Sequence, residues 1–137
     1  IGMTMDTARE EMTQAVLEGV VFGLRDSLEV ARRLGLKIGR TKICGGGAKS
    51  SLWKRMVANI MNVKVDVLEH EEGPALGGAI LAAVGCGEFP DVKTAADAIV
   101  KVAETIEPEP ELVEKYEAAY CRFRQMYPAL KGVFREL

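Results

Sequence analysis

The residues best suited to act on a ligand lie in one run, Cys44-Gly45-Gly46-Gly47-Ala48-Lys49-Ser50-Ser51-Leu52-Trp53. Glycines between a strand and a helix start leave backbone N–H groups free, with no Cβ in front of them. Such a turn suits an anion or a flat ring approaching the main chain. A phosphate-wrapping loop needs G-x-x-x-x-G-K-[ST]. Lys49-Ser50 supplies its end, but Ala48 and Ile43 stand where its two glycines belong, which excludes it. The dinucleotide fingerprint G-x-G-x-x-G begins at Gly45 and Gly47 but meets Ser50 at its last position. Asp66 lies about where that motif's ribose-binding acid would fall, so the reading stays open as a runner-up. A tight turn without a ligand is the third possibility. It uses three glycines where each loses extra entropy on folding.

The flanking elements must hold this turn. Arg40–Cys44 reads as a short strand. Ser50 or Ser51 caps a helix carrying Leu52, Trp53, Met56, Val57 and Ile60 on one face, and Asn62 ends it. Val63–Val67 alternates as a half-covered strand. Glu71-Glu72-Gly73-Pro74 announces a third helix, with proline at its first position and acids near its positive end. Its body, Ala75 to Val84, is almost wholly small and apolar, and Gly85 and Gly87 end it. Glycine costs ~1 kcal/mol against alanine inside a helix, so this composition predicts tight packing on a sheet or ligand.

Upstream, Thr7 to about Leu34 is helical, capped by Asp6 or Thr7 and stopped by Gly35. Met12, Val16, Val20, Leu24, Leu28 and Ala31 predict an inward stripe. Val16–Leu24 is apolar nearly all round except Glu18, which predicts burial on more than one side, and Gly19 and Gly23 would admit a second backbone. Glu18 on such a helix calls for a backbone or basic partner. Downstream, Thr94 caps a short helix running through Val102, Pro108-Glu109-Pro110 breaks the chain, and a last helix runs from Glu111 to about Met126. Tyr116, Tyr120, Phe123 and Tyr127 recur along it at helical spacing, which predicts packing onto the domain. Strand, helix, strand, helix in succession gives an α/β layer.

Composition narrows the function classes. The 137 residues are 48% hydrophobic and 28% charged with net charge −2, a globular balance without the basic footprint of a nucleic-acid binder. No apolar run is long enough to span a membrane, and no signal peptide is expected. Cys44, Cys86 and Cys121 are far apart, and His70 is the sole histidine, set in a polar loop where solvation is expected. A disulfide framework and a zinc site are poorly served by these residues, which favours a cytoplasmic setting. A start at Ile1 is what a piece of a longer chain would show.

Four blocks, in order, resemble the FGGY carbohydrate kinases over nearly the whole chain. Arg9 to Leu28, with Ala15-Val16-Leu17-Glu18-Gly19-Val20-Val21-Phe22, is similar to that family's long helix. Gly45-Gly46-Gly47-Ala48-Lys49-Ser50-x-x-Trp53 resembles its adenosine-binding turn, and Glu72-Gly73-Pro74-Ala75-Leu76-Gly77-Gly78-Ala79 the small-residue helix after it. Tyr127-Pro128-Ala129-Leu130-Lys131-Gly132-Val133-Phe134 resembles the close of the xylulokinases in particular.

The resemblance implies an α/β, helix-rich C-terminal part of an actin-like ATPase (ribonuclease-H-like) domain. Residues 1–137 would be the C-terminal portion of the second, nucleotide-binding domain. It implies that Gly45 makes the turn and that Gly46, Gly47 and Ala48 lie against adenine and ribose. Lys49 and Ser50 would flank the ribose or solvent, and Trp53 would anchor its helix in the core in preference to the alternative of a stacking platform for adenine. Gly77 and Gly78 would either line the nucleotide cleft or serve helix–sheet packing. ATP and Mg2+ are the implied cofactors, with the magnesium ligands, catalytic groups and sugar site outside this chain. The piece alone would be inert and would self-associate through uncovered core surface. The family often carries Gln where Arg55 stands and Asp where Asn59 stands, so no role passes to those two positions. A stand-alone nucleotide-binding or regulatory module of the same fold would show the same turn.

Overall fold

In a computed structural model that describes residues 1–69 and 73–136, five helices surround a three-stranded sheet. They are α1 (Arg9–Arg33), α2 (Ser51–Met61), α3 (Gly73–Gly85), α4 (Val92–Ile99) and α5 (Pro110–Leu130). The strands are β1 (Arg40–Ile43), β2 (Lys64–Leu68) and β3 (Val102–Ile106), in spatial order β1-β2-β3. β1 and β2 run parallel, Thr41 opposite Val65 and Ile43 opposite Val67, with α2 as the crossover between them. β3 returns antiparallel, with Val65 opposite Ile106 and Asp66 opposite Thr105.

Local chemistry sets the boundaries. α1 begins after Ala8, whose N–H donates to Glu11 Oε2 at 2.8 Å, half of a capping box. Neither Asp6 nor Thr7 is the cap. Thr7 Oγ1 instead accepts the N–H of Thr4 at 2.9 Å. Glu10 and Glu11 in the first turn, and Arg32 and Arg33 in the last, complement the helix dipole. Gly35 at φ +87° stops the helix, with the Leu36 N–H donating back to Ala31 O at 3.2 Å. Asn62 at φ 49° ends α2 in the left-handed conformation.

The core joins α1, α2, β2 and α5. Val21, Phe22, Leu28, Met56, Val57, Ala58, Ile60, Val63, Val65 and Tyr120 form it. The aromatic stripe of α5 docks here, with Phe22 5.9 Å from Tyr120 and 5.2 Å from Phe123, ring centre to ring centre. Tyr127 lies beyond the stripe's buried part, exposed and stacked on Phe134.

Several expectations are corrected. The buried face of α1 is Val21, Phe22, Arg25 and Leu28, whereas Met12, Val16, Val20 and Leu24 face outward at 40–67% exposure. Both faces are apolar, so periodicity could not choose between them. Among the described residues burial on more than one side does not occur, and nothing lies within 4 Å of a Cβ built on Gly19 or Gly23. Among the described residues Glu18 finds neither a backbone nor a basic partner: it accepts from Gln14 Nε2 at 2.7 Å and from the Tyr116 hydroxyl at 3.2 Å. The cap of α4 is Asp91, whose Oδ1 accepts the Thr94 N–H at 2.7 Å. The chain does not stay helical to Val102, because Val102–Ile106 is the edge strand β3. α5 runs on to Leu130 through Pro128. His70, Glu71 and Glu72 lie outside the described residues.

Candidate functional site: a glycine turn between two helix starts

The turn is built from backbone first. After Ile43 ends β1, Gly45 adopts φ +78°, ψ −171°, a region that only glycine occupies readily. The Ala48 N–H donates to Gly45 O at 3.0 Å and the Ser50 N–H to Gly47 O at 3.1 Å, which closes a short 3-10 turn over Gly46–Lys49. Ser50 then caps α2, its Oγ accepting the Trp53 N–H at 3.2 Å.

The middle glycines differ in their surroundings. A Cβ on Gly46 would meet nothing within 4 Å among the described residues, so toward these its face is open. A Cβ on Gly47 would lie 3.0 Å from Trp53 Nε1 and 3.1 Å from its Cδ1. Gly47 is therefore closed from inside by the indole. Ala48 is buried, while Lys49 and Ser50 are exposed. Ser50 spends its acceptor on the helix cap. Trp53 is half-buried against the core, the anchoring role its spacing implies.

The start of α3 abuts this turn. A Cβ on Gly73 would fall 2.7 Å from Cys44 Sγ, so the two glycine-rich segments meet at Cys44. No sequence spacing announces that contact, because nearly thirty residues and a whole βα unit separate its halves. Along α3, Gly77 and Gly78 have nothing within 4 Å of a built Cβ, and only Ile80 is buried. Tight packing of this helix on the sheet does not occur among the described residues. Its small-residue surface around Gly77 and Gly78 stays open among the described residues.

Asp66 is not available to a ribose. It is 2% exposed, accepts the Thr105 hydroxyl at 2.7 Å and pairs with Arg40 Nε at 3.5 Å. Arg55 and Asn59, one turn apart on α2, both hold Glu109. Arg55 Nη2 donates to Glu109 Oε1 at 2.8 Å and to Oε2 at 3.1 Å, and Asn59 Oδ1 accepts the Glu109 N–H at 2.7 Å. The hydrogen bonds from Arg55 and then Asn59 hold the Glu109 carboxyl below its ordinary value. These two residues fasten the start of α5 and are not directed at the turn.

A separate open groove of about 590 Å3 lies between α1 and α5, lined by Val30, Phe123, Met126, Tyr127 and Phe134 among others. None of the glycine turn's residues borders it. Among the described residues no three His, Cys, Asp or Glu side chains gather as a metal site requires, and no helix is long and apolar enough to cross a membrane.

Comparison with known proteins gives this geometry its context. Residues 1–86 match the profile of the FGGY family of carbohydrate kinases, C-terminal domain. A xylulose kinase of Staphylococcus epidermidis is 37% identical over 137 residues, all of this chain and 28% of its own length. A xylulose kinase of Bacillus subtilis is 35% identical over 97% of this chain and 27% of its own. The crystal structure of a xylulose kinase from Rhodospirillum rubrum superposes with a TM-score of 0.85 at 28% identity, over 98% of this chain and 28% of that one. The chain thus spans little more than a quarter of the length of these relatives. The fold is the C-terminal domain of the actin-like ATPase type, which sets aside the dinucleotide-binding alternative.

Proposed function

We propose, from the premise that this chain belongs to the FGGY family of carbohydrate kinases, that it is the adenosine-binding C-terminal portion of an ATP-dependent sugar kinase. In this reading residues 1–137 complete the second, nucleotide-binding domain of a longer protein that transfers the γ-phosphate of ATP to a ketopentose. D-xylulose is the proposed sugar, because the most similar relatives named above are xylulose kinases. The kinase reading is favoured over a stand-alone nucleotide-binding module, because these relatives align along all or nearly all of this chain.

The observation that carries the reading is the open face of Gly46 on a turn whose backbone only glycine can make. Gly45 sets the reversal, and Gly46, Gly47 and Ala48 offer main chain to the adenine and ribose. Lys49 and Ser50 border the same surface. A flat ring needs close approach to backbone, and the open glycine and the small residues of α3 leave room for it. ATP supplies the transferable phosphoryl group when bound. This chain's own part is to hold the base end so that the phosphates point toward groups elsewhere in the protein. Magnesium, the base that deprotonates the sugar and the sugar site are proposed to lie outside these residues. The proposed setting is the cytoplasm, where ATP is supplied.

The test is ATP-dependent ADP release with D-xylulose by the longer protein, comparing wild type with Gly46→Val. Added side-chain bulk on the open face should raise KM for ATP and leave KM for the sugar unchanged. Wild-type activity with an ATP KM that Gly46→Val does not move would remove the turn from the nucleotide site. Absence of phosphorylation of any ketopentose would overturn the kinase assignment.

A further inference from the structure

We infer that Trp53 is a positioning residue for the nucleotide turn, a wedge whose indole fixes the backbone of Gly47 and thereby the open face of Gly46. The inference rests on the reading that nucleotide binds at this turn, and it adds a residue with no need to touch the ligand itself.

Three contacts close a small ring. Gly47 O accepts the Ser50 N–H at 3.1 Å, Ser50 Oγ accepts the Trp53 N–H at 3.2 Å, and the Trp53 indole returns to cover the Gly47 α-carbon. The returning contact is tight for a methyl, with Nε1 and Cδ1 at 3.0 and 3.1 Å from a Cβ on Gly47, so the indole would have to give by a few tenths of an ångström. The far side of Trp53 packs against the hydrophobic core. The Trp53 side chain therefore ties the turn to the hydrophobic core, beside the buried Ala48. Glycine runs are the most pliable backbone available, and among the described residues nothing lies within 4 Å of a Cβ built on Gly45 or Gly46. Without the wedge, Gly45–Gly47 would sample many conformations, and a nucleotide would have to order them on binding.

The arrangement also divides the glycines by purpose. Gly46 lacks a side chain for the sake of what comes from outside, and Gly47 for the sake of what presses from inside. A size-for-size exchange follows, in which a methyl on Gly47 is better accommodated when the indole is made smaller.

The test uses the longer protein with Trp53→Leu, Trp53→Phe, Gly47→Ala and the double variant Gly47→Ala/Trp53→Leu. Trp53→Leu is expected to raise KM for ATP by roughly tenfold with little change in KM for the sugar, while Trp53→Phe, which keeps a flat ring, restores most of the loss. Gly47→Ala alone should weaken ATP binding as much, and the double variant should bind better than Gly47→Ala. Amide hydrogen exchange without nucleotide gives a second readout, since residues 45–50 should exchange faster in Trp53→Leu while β2 is unchanged.

A lower melting temperature in Trp53→Leu with unaltered ATP KM and unaltered exchange at residues 45–50 would reduce Trp53 to a core residue and overturn the inference. A double variant no better than Gly47→Ala would also overturn it. If Gly46→Val leaves ATP binding untouched, it is the nucleotide reading that fails, whereas accelerated exchange at the turn in Trp53→Leu would still report the wedge.

Discussion

Gly45, Gly46 and Gly47 are adjacent and chemically identical, yet each is glycine for a different reason. Gly45 sits at φ +78°, ψ −171°, so Gly45→Ala forces a side chain into strained backbone and should lower stability by about 1–3 kcal/mol. A denaturant titration checks it, and an unchanged midpoint would show that the turn relaxes. Tyr120 gives a second prediction. Its ring is buried under Arg25, whose guanidinium carbon lies 4.0 Å from the ring centre, and its hydroxyl donates to Asp26 Oδ1 at 2.5 Å. Burial, and then the hydrogen bond to Asp26, push the phenol from 10.0 up to about 12. A raised folded value means that the neutral phenol is favoured in the fold. Its contribution is complete below pH 10 and is lost as pH rises toward 12. Tyr120→Phe should therefore flatten this part of the alkaline limb of melting temperature against pH, and an unaltered limb would assign the loss to other groups.

The joint between α2 and α5 is held by polar groups whose purpose the sequence does not announce. Arg55 and Asn59 clamp Glu109, just ahead of Pro110 at the start of α5. Asn59→Asp would keep the acceptor for the Glu109 N–H but replace the amide that donates to Glu109 Oε1 at 3.3 Å with a second negative charge. The melting temperature should fall by a few degrees near neutral pH, and Glu109→Gln in that background should recover it. No fall would mean that Arg55 alone holds the joint. Glu109 also carries a pH signature. Its depressed value means a stabilisation present above the ordinary 4.5 and lost as pH falls below it. Glu109→Gln should flatten the acid limb accordingly.

The same elements show what a sequence can carry. The crossover of β1, α2 and β2 was legible because alternation, a serine cap and an asparagine stop are local signals. β3 was not, because Val102–Ile106 is a largely exposed edge strand whose pairing is set by β2, some forty residues earlier. The turn's residues could be read, and its contact with Gly73 at Cys44 could not. That contact depends on how two helix starts are brought together in space.

Taken as a body, the chain leaves large apolar side chains exposed on several of its elements. Leu28 at 9% exposure belongs to the core, whereas Val16, Val20 and Leu24 on the same helix stand at 67%, 52% and 47%, and Leu81 on α3 at 62%. Sequence periodicity marked the α1 stripe as inward, and it is inward only if something further covers it. The relatives are more than three times as long, so the proposed cover is the remainder of the polypeptide. Placing that surface in water is unfavourable by ~25 cal/mol per Å2 of apolar area, and a 137-residue chain alone can reduce the loss only by pairing with itself. The isolated chain should therefore sediment as dimers or larger species at micromolar concentration. Val20→Lys/Leu24→Lys should shift it toward monomer without disturbing Val21 and Phe22, which point the other way. The same pair in the longer protein should have the opposite consequence, lower stability and less folded material, if the proposed cover buries the stripe there. A monomeric wild-type chain, or a longer protein indifferent to the two lysines, would show that this face is solvent surface in both settings.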